Sequence, residues 1–98
     1  MPISHELNTE LQLLETRAHG LVTADDIERH LDLEERDGVV GIDQLFDARD
    51  ATTDVTTIQV RRLVRRTDEM ARRGRFGAIA IVTDDKVAFG MARMYQML

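Results

Sequence analysis

The sequence predicts an α/β domain: a mixed sheet of about four strands with helices packed on it, in the order β-β-α-β-α-β-α. Three observations carry this prediction. Apolar and polar residues alternate over much of the first twenty positions, the period of a half-buried strand. Two stretches with helical apolar spacing come later, each opened by a capping residue and each followed by an apolar run with β-branched residues. Strands separated by helices require parallel pairing through right-handed crossovers. The 98 residues supply one domain, spanning 1–98.

Residues 3–7 read as an edge strand and residues 11–18 as its hairpin partner. Leu11 and Leu13 alternate there with Gln12, Glu15 and Arg17, and the turn falls around Asn8, Thr9 and Glu10. His19-Gly20 is expected to end the second strand. Thr23 then caps a helix, with Asp26 at the capping-box position and Ile27 and Leu31 on the apolar face. It runs to about Arg36, and Gly38 supplies the stop. Residues 39–47 form the next, more central strand, and residues 48–54 a polar loop. Asp54 or Thr56 caps a long helix that ends at Gly74, expected in the left-handed conformation. Val60, Leu63, Val64, Thr67, Met70 and Ala71 share its apolar stripe, while Arg61, Arg62, Arg65, Arg66, Arg72 and Arg73 lie opposite. Asp68 with Arg72 and Glu69 with Arg73 are spaced for ion pairs one turn apart. Residues 77–82 are a continuous apolar run, the pattern of a strand buried on both faces, and residues 87–97 read as a final helix.

A 43% hydrophobic and 32% charged composition excludes a disordered chain. The absence of cysteine excludes disulfides, thiolate metal sites and a cysteine nucleophile, and fits a reducing compartment. No apolar stretch approaches the roughly 20 residues of a membrane helix, and the N-terminus has no leader pattern. A cytoplasmic location is therefore expected. The net charge of -5 conceals an asymmetry: residues 1–54 hold 14 acidic side chains against 4 arginines, whereas residues 55–98 hold 9 basic against 4 acidic. Opposite electrostatic poles are the expectation, favouring self-association or an oriented protein partner, while the acidic total weighs against nucleic-acid binding.

Three segments carry a family resemblance: His19-Gly20-Leu21-Val22-Thr23-Ala24-Asp25-Asp26, Leu45-Phe46-Asp47-Ala48-Arg49, and Ala80-Ile81-Val82 with the later Phe89-Gly90-Met91-Ala92-Arg93-Met94-Tyr95. Together they resemble the SpoIIAA-like small bacterial proteins. That group is related to the STAS domains of anti-sigma-factor antagonists and shares a fold name with SEC14-type lipid-binding domains. The resemblance implies a STAS-like fold and a regulatory role. The chain departs from the pattern in two places. The turn that holds a phosphorylatable Ser in antagonist domains reads here from Asp47 to Thr57 without Ser or Gly. The further strand and helix that follow the Tyr-Gln segment in such proteins are expected to be lacking.

Candidate sites follow from residue chemistry. Phe46, Phe89, Met91, Met94 and Tyr95 are candidates for an apolar ligand or partner surface, since Met and aromatic side chains adapt to varied partners. Arg61, Arg62, Arg65, Arg66 and Arg73 form a candidate anion or partner patch. Thr52, Thr53 and Thr56 stand where STAS relatives carry the regulatory hydroxyl, making them candidate phosphosites. Asp47 and Asp84 are weak metal candidates at strand ends, and otherwise no metal or cofactor is expected. His5, His19 and His30 fall on a strand, a strand end and a helix with no two at ligand spacing, and Ser4 is the one serine, so no catalytic constellation emerges. The leading expectation is a non-enzymatic regulatory or protein-interaction domain that self-associates. The alternative is a carrier of a small hydrophobic ligand or lipid in a pocket between the last helix and the sheet, lined by Phe46, Phe89 and Met91. The weaker alternative is Mg-dependent phosphoryl transfer at the strand ends.

Overall fold

The computed structural model describes residues 2–74, 76–86, 89, 90 and 93. Six elements follow in chain order: β1 (Ile3–Asn8), β2 (Leu13–Val22), α1 (Ala24–Asp37), β3 (Asp43–Thr53), α2 (Thr57–Arg72) and β4 (Ile79–Val82). The sheet has the strand order β1-β2-β3-β4. β1 pairs antiparallel with β2, β2 parallel with β3, and β3 parallel with β4. The α/β class, the mixed four-stranded sheet and the order β-β-α-β-α-β are as the sequence predicts. The expected seventh element lies largely outside the described residues, although Lys86, Phe89, Gly90 and Arg93 have helical backbone.

Local chemistry accounts for both helices. Thr23 Oγ1 accepts from the backbone N–H of Asp26 at 3.2 Å, and the Asp26 carboxylate accepts from the Thr23 N–H at 2.9 Å. This reciprocal cap satisfies two otherwise orphaned donors. Gly38, at φ 70 and ψ 27, closes α1 in the left-handed conformation. Thr56 and Gln59 repeat the capping box at the start of α2, deciding between Asp54 and Thr56. The end of α2 differs from expectation. Arg73 is the C-cap in right-handed geometry and Gly74 does not take a positive φ.

The strands depart from the sequence reading at their ends. The hairpin turn occupies residues 9–12, because Asn8 Oδ1 accepts from Leu11 N–H and Gln12 takes φ 51. β2 then continues through Gly20 to Val22. The larger correction concerns β3. Residues 39–42 are turn and residues 48–53, expected as loop, are strand. A bulge explains the misreading: Arg17 pairs with Asp47 but His19 with Asp50, so β3 carries one extra residue and its inward positions shift from 44, 46 and 48 to 51 and 53. The alternation that marks a strand therefore breaks at the middle of this one. β4 is not buried on both faces; Ala80 and Val82 are exposed.

Both helices cover one face of the sheet. The inward side chains form two clusters: Ala24, Leu31, Val55, Val60, Leu63 and Met70 between the helices, and Ile3, Ala18, Val22, Ala48 and Ala51 on the sheet, with Ile27 packed against both. Along α2 the predicted stripe is buried at Val60, Leu63, Thr67 and Met70, whereas Ala71 is exposed.

The approach to β4 rests on Gly77. Its N–H donates to Val40 O at 2.9 Å, Ala78 N–H donates to Asp43 Oδ1 at 3.0 Å, and Gln44 N–H donates to Ala78 O at 2.8 Å. A Cβ on Gly77 would overlap the Ile42 carbonyl and come within 2.9 Å of Asp43 N. Gly77→Ala is expected to destabilise the fold by about 1–3 kcal/mol, as overpacking against backbone does. Gly74→Ala, with nothing within 4 Å of the added carbon, is expected to stay within about 0.5 kcal/mol of wild type. Urea midpoints of the two variants check this; equal midpoints would contradict the close approach.

Candidate functional site: a cavity backed by a buried polar cluster

A cavity of about 160 Å³ lies between the two helices and the sheet. Ile27 and Leu31 of α1, Val60 and Leu63 of α2, and Phe46 and Ile81 of the sheet are among its lining. Its origin is in the side chains below it. Ala18, Ala48 and Ala51 occupy inward positions of β2 and β3, so the sheet sends up methyl groups where larger side chains would close the gap.

Polar residues interrupt this wall. His30 and Glu34, one turn apart on the inward face of α1, are each 3% exposed, and Thr16 and Gln44 on β2 and β3 are also buried. His30, Glu34 and Gln44 line the cavity. Gln44 Nε2 lies within hydrogen-bond reach of Thr16 Oγ1 and 3.1 Å from His30 Nε2. Glu34 Oε1 is 2.8 Å from the same nitrogen, but off a hydrogen-bonding direction, so it and His30 Nδ1 have no hydrogen-bond partner among the described residues. The rings of His5 and Phe46 meet His30 edge-on at 5.4 and 5.9 Å between centroids, and His5 Nε2 reaches Asp37 Oδ2 at 3.0 Å.

The sequence reading did not single out Glu34, Gln44 or Thr16, and it placed His5 and His30 apart. A signal was present: His30 and Glu34 fall three residues after Ile27 and Leu31, so they share the apolar face of α1. The pairing of that face with Gln44 and Thr16 depends on strand register.

The other candidate residues distribute as follows. Phe46 lines the cavity; Phe89 is 51% exposed and is not part of the lining, with Arg93 Cζ 5.9 Å from its ring centre. Among the described residues the cavity is lined from α1, α2 and the sheet, Phe46 included; most of the last helix, expected as the other wall of a pocket with Phe46, Phe89 and Met91, lies outside them. Met91, Met94 and Tyr95 lie outside the described residues. The arginine patch is divided. Arg62 pairs with Glu28 at 2.9 Å and approaches Asp25 at 3.8 Å; Arg66 pairs with Asp32 at 2.7 Å and Glu35 at 2.5 Å; Arg73 pairs with Glu35 at 2.8 Å. Arg61 and Arg65 are exposed. Three arginines of the basic half therefore meet four carboxylates of the acidic half across the α1–α2 interface, and the expected opposite poles are joined there in part. Arg73 is taken by Glu35, and the pairs expected within α2 do not form among the described residues.

Thr53 Oγ1 donates to Val22 O and accepts from Val55 N–H, and Thr56 Oγ1 caps α2, so both hydroxyls serve the backbone. Thr52 is exposed. Asp47 accepts from Arg49 through Nε at 3.0 Å, Nη2 at 2.8 Å and the backbone N–H at 3.1 Å, which occupies both carboxylate oxygens; Asp84 adds to the negative field at Arg49. No cluster of three metal-ligating side chains occurs among the described residues. No helix among them is long and apolar enough to cross a membrane.

In comparisons with known proteins, no family model, curated protein or solved structure matches the chain.

The Arg49 side chain, and then its backbone N–H, hold the Asp47 carboxyl at about 2, against the usual 3.8. A depressed carboxyl contributes stability above the ordinary value that disappears as pH falls through the folded one. The contribution is thus expected to be lost between pH 3.8 and about 2. Arg49→Gln should move the Asp47 titration back towards 3.8 in carbon-detected NMR; an unchanged midpoint would show that the arginine is not the cause.

Proposed function

We propose that this domain binds a small apolar molecule in the cavity between α1, α2 and the sheet, and does so without catalysis. The cavity itself carries the reading. An apolar cavity of about 150 Å³ accepts a benzene ring, and this partly open, mainly apolar space is of similar size, about 160 Å³. The resemblance to SpoIIAA-like proteins in the sequence suggests a cytoplasmic, regulatory setting in which ligand occupancy is the signal. Benzene or toluene is expected to raise the melting temperature in proportion to the logarithm of its concentration and to shift the NMR signals of Phe46 and Ile81. Ala51→Leu, which fills the space from the sheet side, should abolish both effects. A wild-type protein indifferent to both compounds up to their solubility would overturn the reading.

Self-association is the second reading, and one observation favours it. Leu21, Leu45 and Val82 are exposed, and their strand positions place them on the sheet face opposite the helices. Parallel strands are ordinarily covered on both faces, and a second copy would cover this one. Light scattering across concentrations should show a dimer that Leu45→Glu dissociates; a monomer throughout removes the proposal.

A further inference from the structure

The polar cluster behind the cavity is short of hydrogen-bond partners, and the shortfall has a chemistry. His30 Nε2 is approached by two groups, Gln44 Nε2 at 3.1 Å and Glu34 Oε1 at 2.8 Å. If Nε2 accepts from the Gln44 amide, its proton sits on Nδ1, a buried donor with nothing to bond. If the Gln44 amide is turned, its oxygen accepts from Thr16 and from Nε2–H, and Nδ1 becomes a bare acceptor. In both arrangements Nδ1 and Glu34 Oε1 remain without partners among the described residues. Unpaired buried polar atoms cost stability and are rare in native proteins.

We propose that the cavity's ligand carries one neutral hydroxyl, so that it is a small apolar alcohol or phenol whose hydroxyl completes the His30–Glu34 cluster while its hydrocarbon part lies against Phe46, Leu63 and Ile81. This inference rests on the ligand-binding reading above. With the proton on Nδ1, as when Nε2 accepts from the Gln44 amide, a hydroxyl accepts from Nδ1–H and donates its single proton to Glu34 Oε1. An ammonium group only donates and is opposed by Nδ1–H. A carboxylate only accepts, and would set a second anion beside Glu34. Both orphan atoms are closed to solvent, so contact takes a rotamer change at Glu34 or His30, of a kind common on binding.

The test is a panel of matched size on the wild-type chain: toluene, benzyl alcohol, benzylamine and benzoate, followed by calorimetry and NMR. Benzyl alcohol is expected to bind about tenfold more tightly than toluene, the scale of one well-made hydrogen bond to a charged group. Glu34→Met should erase that preference and leave toluene binding in place. Equal binding of toluene and benzyl alcohol, or tightest binding of the amine or the acid, overturns the hydroxyl inference and leaves the cavity a ligand site. Failure of all four to bind removes the ligand reading itself. The wild-type panel decides the matter even if the variant does not fold.

Discussion

The handedness of two successive crossovers governs this molecule. β2, β3 and β4 lie side by side in chain order and run parallel, with a helix in each connection. A right-handed crossover repeated in one direction sets both helices on the same side of the sheet. α1 and α2 are therefore neighbours on one face, and the inward side chains of β2 and β3 meet these two helices. Over Ala18, Ala48 and Ala51 the meeting is incomplete, and the cavity is the remainder.

The same constraint reassigns the charge of the chain. In sequence, an acidic stretch precedes a basic one; in the fold, the acidic helix and the basic helix are adjacent, and Arg62, Arg66 and Arg73 reach across to Asp25, Glu28, Asp32 and Glu35. Each such partly exposed pair contributes about 0–1 kcal/mol. Their sum is small beside the apolar contacts of Leu31, Val60 and Leu63, so the ladder sets the alignment of the helices more than it holds them down.

Features encoded within a few residues were legible in the sequence. The α1 capping box, the Gly38 stop and most of the apolar stripe of α2 follow from local spacing, and the structure bears them out; the α2 cap was narrowed only to Asp54 or Thr56. Features that depend on a partner strand were not. The bulge in β3 breaks the alternation at Asp47, so residues 48–53 resemble a loop until β2 is laid beside them. The cavity depends on the distance between α2 and the sheet, which no local pattern records. His30 and Glu34 occupy the middle ground: their positions on an apolar face were visible, and their meeting with Gln44 and Thr16 was not. The apolar strand at 79–82 was misjudged for a related reason, since a continuous run does not say how many faces are covered.

The ion ladder has a consequence for the two helices it joins. α1 and α2 are linked to each other by side chains at the surface, like two beams of one roof. Arg66 is 28% exposed and Glu35 33%, within reach of dissolved ions, and at 0.15 M salt such attractions fade over about 8 Å. The apolar contacts of the floor are not weakened in that way. Ionic strength is thus a setting for how firmly α1 and α2 are held in register with each other.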